Sequence, residues 1–217
     1  MSRFAAVIFD LDGTLIDTER QAIEIGLTVL SGMGFPVARD FLTSLVGVDE
    51  IEGQRRLAAH VGPGLDLGRL DAEWRAATRQ AQDAGIPPMA GVEVLLADLA
   101  RRGLPRAVAT NSATASAVRK LRAAGLHGHF DMAHVVGFDA VPRAKPAPDL
   151  FVEAARRLGA APSTCIAFED SDTGTAAALA AGMTVVQIPD ISPARTRRAH
   201  HLAESLLEGA RAAGLID

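Results

Sequence analysis

Phe4-Ala-Ala-Val-Ile-Phe-Asp-Leu-Asp-Gly-Thr14 is the segment around which the rest of the chain is organised. Residues 4–9 form a short apolar run, which is typical of a strand buried on both faces. Asp10 and Asp12 follow directly, and Gly13 indicates a turn. Because side chains alternate along an extended chain, both carboxylates lie on the same side of it. Like charges this close need a neutralising partner, commonly a hard divalent cation. The alternative is a strand that ends in a polar turn.

Length, composition and charge limit the class of protein. The 217 residues are 48% hydrophobic, enough to bury one substantial core and a smaller module. The net charge is −4, so the chain lacks the basic field of nucleic-acid-binding proteins. The sequence contains no apolar run long enough to span a bilayer and no signal peptide, and we expect no membrane association. Cys165 is the only cysteine and cannot form an internal disulfide, which favours a reducing, cytoplasmic location.

The pattern of predicted elements changes twice along the chain. Residues 17–85 contain apolar stripes at helical spacing and no convincing strand, so they are predicted to form an all-helical block. From residue 86 onwards, helices alternate with four predicted strands, at 106–110, 133–136, 164–168 and 184–188. This alternation predicts a parallel sheet with right-handed crossovers. The strand at 4–9 must join that sheet, because alone it has no partner, so the helical block is an insertion after the first strand.

Three predicted strands are followed by polar side chains. These side chains are Asp10 and Asp12, then Thr110-Asn111-Ser112, then Glu169-Asp170-Ser171. In parallel sheets ligands bind beyond the carboxyl ends of the strands, so the three groups are expected to converge. Carboxylates are ligands that magnesium prefers, and the helix after Ser112 offers N–H groups to an anion such as phosphate. The alternatives are helix capping for the second group and a solvated turn for the third.

Four segments resemble the ordered motifs of the haloacid dehalogenase-like superfamily. They are Asp10-Leu-Asp-Gly-Thr14, Thr110-Asn111, Lys145-Pro-Ala-Pro-Asp149 and Glu169-Asp-Ser-Asp-Thr-Gly174. The resemblance covers essentially the whole chain. It is greatest to the branch of small-molecule phosphatases and β-phosphoglucomutase-like enzymes with a helical cap. It implies an α/β fold, with a Rossmann-like parallel sheet core (residues 1–16 and 86–217) and an inserted all-helical cap domain (residues 17–85).

The resemblance also implies a reaction, which is phosphoryl transfer through an aspartyl-phosphate with Mg²⁺ as cofactor. Asp10 is implied to be the nucleophile and a metal ligand. Asp12 is implied to be the general acid and base, and to give its backbone carbonyl to the metal. Lys145 is implied to steady the nucleophile and the phosphate. This assignment makes chemical sense, because a carboxylate that attacks a phosphate dianion needs positive charge nearby.

The remaining implied roles concern binding. Thr110 and Asn111 are implied to bind the phosphoryl oxygens, and Glu169 and Asp170 to complete the metal site. The expected partner is a small phosphorylated metabolite, and nothing in the sequence demands more than a monomer. The chain contains only two lysines among its 22 basic residues. Of these, Lys145 is expected in the active site and Lys120 at the surface.

Individual residues of this chain distinguish between several activities of this superfamily. Asp12 argues against dehalogenation, because halide-removing members lack the second aspartate, and residues 17–85 lack the lysine that phosphonate-cleaving members use. β-Phosphoglucomutases have a histidine where this chain has Ala22 and a cap arginine where it has Glu50. We therefore expect a phosphohydrolase that acts on a small phosphomonoester, such as a sugar phosphate. The alternatives are a sugar phosphomutase and a catalytically idle binding protein on the same fold.

Overall fold

The computed structural model describes residues 3–46, 48 and 50–217, and for Glu50 it describes the backbone alone. The part of the loop at Gly47 and Asp49 that bears on the mutase comparison therefore lies outside the described residues, as does the Glu50 side chain. The chain divides into two compact units, Met1–Asp17 with Pro87–Asp217, and Thr18–Ile86. Among the described residues, no helix is long and apolar enough to cross a membrane.

The smaller unit is built from helices. In chain order they are α1 (Thr18–Gly32), α2 (Arg39–Thr43), α3 (Glu50–Val61) and α4 (Leu67–Ala84). Gly26 of α1 lies against the indole of Trp74 on α4, so closely that a Cβ at this position would be 2.3 Å from Cη2 of the ring. The side-chain amide of Gln21 donates a hydrogen bond of 3.1 Å to the carbonyl of Gly85, just after α4. These contacts hold α1 and α4 side by side within this unit.

The larger unit contains a parallel sheet. In chain order its strands are β1 (Ala6–Phe9), β2 (Arg106–Ala109), β3 (Val135–Val136), β4 (Cys165–Glu169), β5 (Thr184–Gln187) and β6 (His201–Leu202). Within the described part of the chain, the strand order is β3-β2-β1-β4-β5-β6, and each neighbouring pair is parallel. The α/β Rossmann-like fold expected from the sequence is confirmed.

β1 has a central position because all of its side chains are apolar. Each residue from Ala6 to Phe9 is fully buried, as a strand covered on both faces requires. Phe9 is in register with Val108 on β2 and with Phe168 on β4, and its ring stacks on that of Phe168 at a centroid distance of 5.2 Å. This register aligns the carboxyl ends of the three strands.

The α-helices of the larger unit lie between strands along the chain, and the last of them follows β6. They are α5 (Val92–Arg101), α6 (Thr114–Ala123), α7 (Asp149–Arg157), α8 (Asp172–Ala180) and α9 (Leu206–Ala212). The strand β6 and the helix α9 are not anticipated by the sequence pattern. Pro148 is the N-cap residue of α7. The helix α8 begins at Asp172, and the Ser171 hydroxyl caps it by accepting a hydrogen bond from the Gly174 N–H.

Candidate active site

The carboxyl ends of β1 and β4 bring three acidic residues of the motifs together. Asp10 follows β1, and its N–H donates to the carbonyl oxygen of Phe168 at 2.9 Å, so the pairing of the two strands continues to this point. Glu169 is the last residue of β4, and Asp170 comes next. One carboxylate oxygen from each of Asp10, Glu169 and Asp170 lies within 4.8 Å of the other two. These are three of the four residues predicted as metal ligands.

Lys145 contacts two of these three carboxylates. Its Nζ donates to Asp10 Oδ1 at 2.5 Å and to Glu169 Oε1 at 2.6 Å, and only 4% of its side chain is exposed. Asn111 holds the backbone of this lysine, since its Oδ1 accepts from the Lys145 N–H at 2.9 Å and its amide donates to the Lys145 carbonyl at 3.4 Å. The Asn111 side chain thus has a structural contact that the sequence did not anticipate, beside its expected role in phosphate binding.

Burial and charge act in opposite directions on the Asp10–Lys145 pair. Burial raises the pKa of Asp10 to about 7, against the lowering effect of the Lys145 ammonium group. Burial alone would lower the pKa of Lys145, but the carboxylates of Asp10 and Glu169 outweigh it and raise this pKa above its usual range. Lys145 therefore stays charged at neutral pH. For Asp10, the ammonium group does not fully offset the effect of burial on the pKa.

Two glycines leave room for the acidic side chains. A Cβ at Gly174, on the first turn of α8, would be 1.7 Å from Glu169 Oε1, so no other residue fits without moving that carboxylate. The second oxygen of Glu169 accepts hydrogen bonds from the Ser171 N–H at 3.2 Å and from the Ser171 hydroxyl at 2.9 Å. Gly13 has a φ of +83°, and a Cβ there would be 2.5 Å from Asp170 Oδ2.

The side chain of Asp12 binds a residue that the sequence analysis placed at the surface. Lys120 Nζ donates to Asp12 Oδ1 at 2.7 Å and to Oδ2 at 2.9 Å, and the Ser112 hydroxyl donates to Oδ2 at 3.0 Å. Only 13% of the Lys120 side chain is exposed. The expectation of a surface lysine is therefore wrong. The rarity of lysine in this chain, which drew attention to Lys145, was equally a signal for Lys120.

Thr110 and the start of α6 follow β2 at its carboxyl end. Thr110 is buried, and its Oγ1 accepts a hydrogen bond of 3.0 Å from the Ser112 N–H. The first N–H group of α6, that of Thr114, donates to Asp139 Oδ1 at 2.7 Å. A carboxylate thus caps the first N–H group of this helix.

The acidic side chains at the carboxyl ends of β1 and β4 are suited to bind a hard divalent cation. The clustered ligands are carboxylates, and in the part of the chain that the structure describes no histidine or cysteine joins them. Such a set suits magnesium better than zinc. Burial raises the pKa of Asp10 despite its contact with Lys145, and a bound cation would favour the ionised form of this carboxyl.

Comparison with known proteins gives a consistent result. Residues 4–182 match the family described as haloacid dehalogenase-like hydrolase. The chain is 35% identical over 193 residues to the fructose-1-phosphate phosphatase YqaB of Escherichia coli (strain K12), covering 86% of this chain and 97% of that protein. A HAD family hydrolase from Deinococcus radiodurans R1, solved with bound phosphate and sodium, has a TM-score of 0.85 at 29% identity, with 100% of this chain and 99% of that chain covered.

A second solved structure with a different description is also similar. A putative β-phosphoglucomutase from Thermotoga maritima has a TM-score of 0.82 at 26% identity, with 98% of this chain and 99% of that chain covered. The match to the family covers residues 4–182, and acidic side chains of two sequence motifs meet at the carboxyl ends of β1 and β4. The chain therefore belongs to the haloacid dehalogenase-like hydrolases, and it is a phosphatase of that family, a hydrolase of phosphoric monoesters.

Proposed function

We propose that the protein is a magnesium-dependent phosphohydrolase that cleaves a small phosphomonoester, a sugar phosphate or a similar metabolite, through an aspartyl-phosphate intermediate. The observation that carries the proposal is the contact of Lys145 with both Asp10 and Glu169, beside Asp170. This arrangement supplies a buried carboxylate with positive charge on one side and further oxygen ligands on the other. The similarity to the Escherichia coli enzyme supports a phosphorylated sugar as substrate.

In the first half of the proposed reaction, an oxygen of Asp10 attacks phosphorus and the bond from phosphorus to the alcohol oxygen breaks. Asp12 gives a proton to the departing alkoxide. In the second half, water attacks phosphorus, Asp12 takes the proton of that water, and the bond from phosphorus to Asp10 breaks. The covalent intermediate divides one difficult displacement into two easier ones.

Other residues of the site bind and orient the reacting groups. Thr110 and Asn111 would hold the phosphoryl oxygens, and Lys145 would keep the Asp10 carboxylate in place. Asp10, Glu169, Asp170 and the backbone carbonyl of Asp12 would hold Mg²⁺. When bound, this cation supplies the positive charge that lets a carboxylate approach a phosphate dianion.

The domain organisation expected from the sequence belongs to the same proposal. Residues 1–16 and 86–217 would form the catalytic core, and residues 17–85 would form a cap that takes part in choosing the substrate. We keep the prediction that the protein is a cytoplasmic monomer. Neither nucleic acid nor a membrane is expected as a partner.

A sugar phosphomutase is the second candidate, because a solved structure described as a putative mutase is similar to this one. Ala22, at the position of a mutase histidine, favours hydrolysis instead. A panel of sugar phosphates, phosphoglycolate and nucleoside monophosphates, incubated with the protein and Mg²⁺, separates the alternatives. A hydrolase releases inorganic phosphate, a mutase converts one sugar phosphate into its isomer, and an idle protein does neither. Isomer formation that exceeds phosphate release would contradict the proposal.

A further inference from the structure

We propose that Lys120 is a positioning residue, which orients the Asp12 carboxylate for the step in which water attacks the phosphorylated enzyme. The inference rests on the proposed function, in which Asp12 takes a proton from that water. It concerns a residue that belongs to none of the four sequence motifs. Lys120 lies on α6, between Thr114 and Ala123, and this helix follows β2 in the chain.

The contacts of Lys120 fix both oxygens of Asp12. The ammonium group is 2.7 Å from Oδ1 and 2.9 Å from Oδ2, so it bridges the carboxylate. Ser112 closes a triangle, because its hydroxyl donates to Asp12 Oδ2 and accepts from Lys120 Nζ, each at 3.0 Å. Charge-assisted hydrogen bonds of this kind are stronger than neutral ones. Rotation of the Asp12 side chain would break all of them, so the carboxylate is held in one orientation.

The position of Asp12 explains why it needs such support. Among the described residues, the cluster of carboxylates that could share a metal ion contains Asp10, Glu169 and Asp170, but not the side chain of Asp12. A bound cation would therefore leave the orientation of this side chain to other groups. A general base must lie within hydrogen-bond reach of the proton that it takes. Lys120 and Ser112 supply the orientation, and the charge of Lys120 offsets that of an ionised Asp12 near other carboxylates.

The two halves of the reaction depend on Asp12 to different extents when the leaving group is 4-nitrophenolate. This anion departs without a proton, so phosphorylation of Asp10 needs no help from Asp12. The attack of water still needs a base. Loss of Lys120 should thus slow the second half alone, and kcat should fall while kcat/KM, which reports the first half, stays nearly constant. A general loss of folded structure would lower both quantities.

The test compares the wild type with Lys120→Met, with 4-nitrophenyl phosphate and Mg²⁺. We expect kcat to fall at least about 10-fold and kcat/KM to change less than about 3-fold, with KM falling accordingly. Stopped-flow mixing should reveal a burst of nitrophenolate that approaches one equivalent per active site. Arg119→Met, at the exposed neighbouring position on α6, is the control and should resemble the wild type.

A double-mutant cycle shows whether Lys120 acts through Asp12. In the Asp12→Asn background, the change Lys120→Met should lower kcat by less than about 2-fold further, since the group that it orients is gone. A larger loss would overturn the inference, as would parallel falls of kcat and kcat/KM without a burst, or unchanged kinetics in Lys120→Met. Failure of the wild type to release phosphate from any substrate would instead contradict the proposed function itself.

Discussion

At the scale of single residues, two lysines form ion pairs with different carboxylates of the acidic site. Lys145 binds Asp10 and Glu169, and Lys120 binds Asp12. Arginine is the common cation elsewhere in the chain. An ammonium group is compact and can contact two carboxylates at once, whereas a guanidinium group is planar and prefers a fork-shaped acceptor. This difference favours lysine at position 145, where the ammonium group contacts both Asp10 and Glu169.

Exchange of Lys145 for arginine should therefore reduce activity although the charge is kept. We expect Lys145→Arg to lower kcat/KM at least ~10-fold, which corresponds to about 1.4 kcal/mol of transition-state stabilisation. The buried site has no room for the larger group without moving Asp10 or Glu169. Arg122→Lys, the reverse exchange at an exposed position of α6, is the control and should leave the kinetics within about 2-fold. Wild-type kinetics in Lys145→Arg would contradict the proposed role of Lys145 in the active site.

The two lysines also mark how far the sequence alone can predict this site. Lys145 can be predicted because it begins a motif in which Pro146 and Pro148 follow it. Lys120 was missed because its distance from Asp12 along the chain carries no pattern, and only the packing of α6 against the sheet brings the two together. Residues that follow a strand directly can be placed from the topology. A side chain that reaches the site from a helix face cannot.

At the scale of elements, the first turn of α8 shapes the acidic end of the site. The N-cap Ser171 and the glycine at 174 let this helix start immediately beside Glu169. The strands β1, β2 and β4 could be predicted because their apolar runs are bounded by polar residues or turns. The strand β6 and helix α9 could not, since β6 has two residues, one of them histidine, and α9 has seven. Such short elements are stabilised by tertiary packing rather than by a local pattern.

The close approach at Gly174 gives a prediction about this element. A methyl group there would have to displace the Glu169 carboxylate, whose Oε1 is 1.7 Å from the ideal Cβ position. We expect Gly174→Ala to lower kcat/KM roughly 100-fold, because a shift of about 1 Å in a catalytic group can cost that much. Gly32→Ala, on the exposed end of α1 with no atom within 4 Å of the new Cβ, should leave the kinetics unchanged. Equal activity of the two variants would contradict the close contact at Glu169.

At the scale of the whole molecule, the carboxylates that could hold a metal ion come together only in the folded chain, so metal binding should stabilise the fold. The motifs that carry these carboxylates are spread over the chain from residue 10 to residue 170 and meet only after folding. The reaction class could be predicted because these motifs resemble, in residue type and order, those of the haloacid dehalogenase-like superfamily. The choice of substrate could not, because it depends on side chains whose spacing follows no comparable rule.

Magnesium should therefore bind the folded chain and not the unfolded one. At a Mg²⁺ concentration about 100-fold above Kd, binding adds roughly 2.7 kcal/mol, which should raise the Tm by roughly 5–10 °C. Asp170→Asn, which removes one of the clustered carboxylates, should reduce the shift in Tm measured by calorimetry.

The activity should also depend on the metal ion. EDTA should abolish activity, and Mg²⁺ should restore it without zinc. Full activity in a chelated preparation, with no effect of Mg²⁺ on Tm, would rule out the proposed metal site.

The central claim is that Asp10 becomes phosphorylated during turnover. The most direct measurement is reduction of the enzyme with borohydride during hydrolysis of 4-nitrophenyl phosphate, which converts an aspartyl-phosphate into homoserine, followed by peptide mass spectrometry. Asp12→Asn, which slows the attack of water, should accumulate the intermediate and give a stronger signal than the wild type. We expect homoserine at position 10 in both proteins and at no position in Asp10→Asn. Hydrolysis by the wild type with Asp10 unmodified in both proteins, or homoserine at another position, would contradict it.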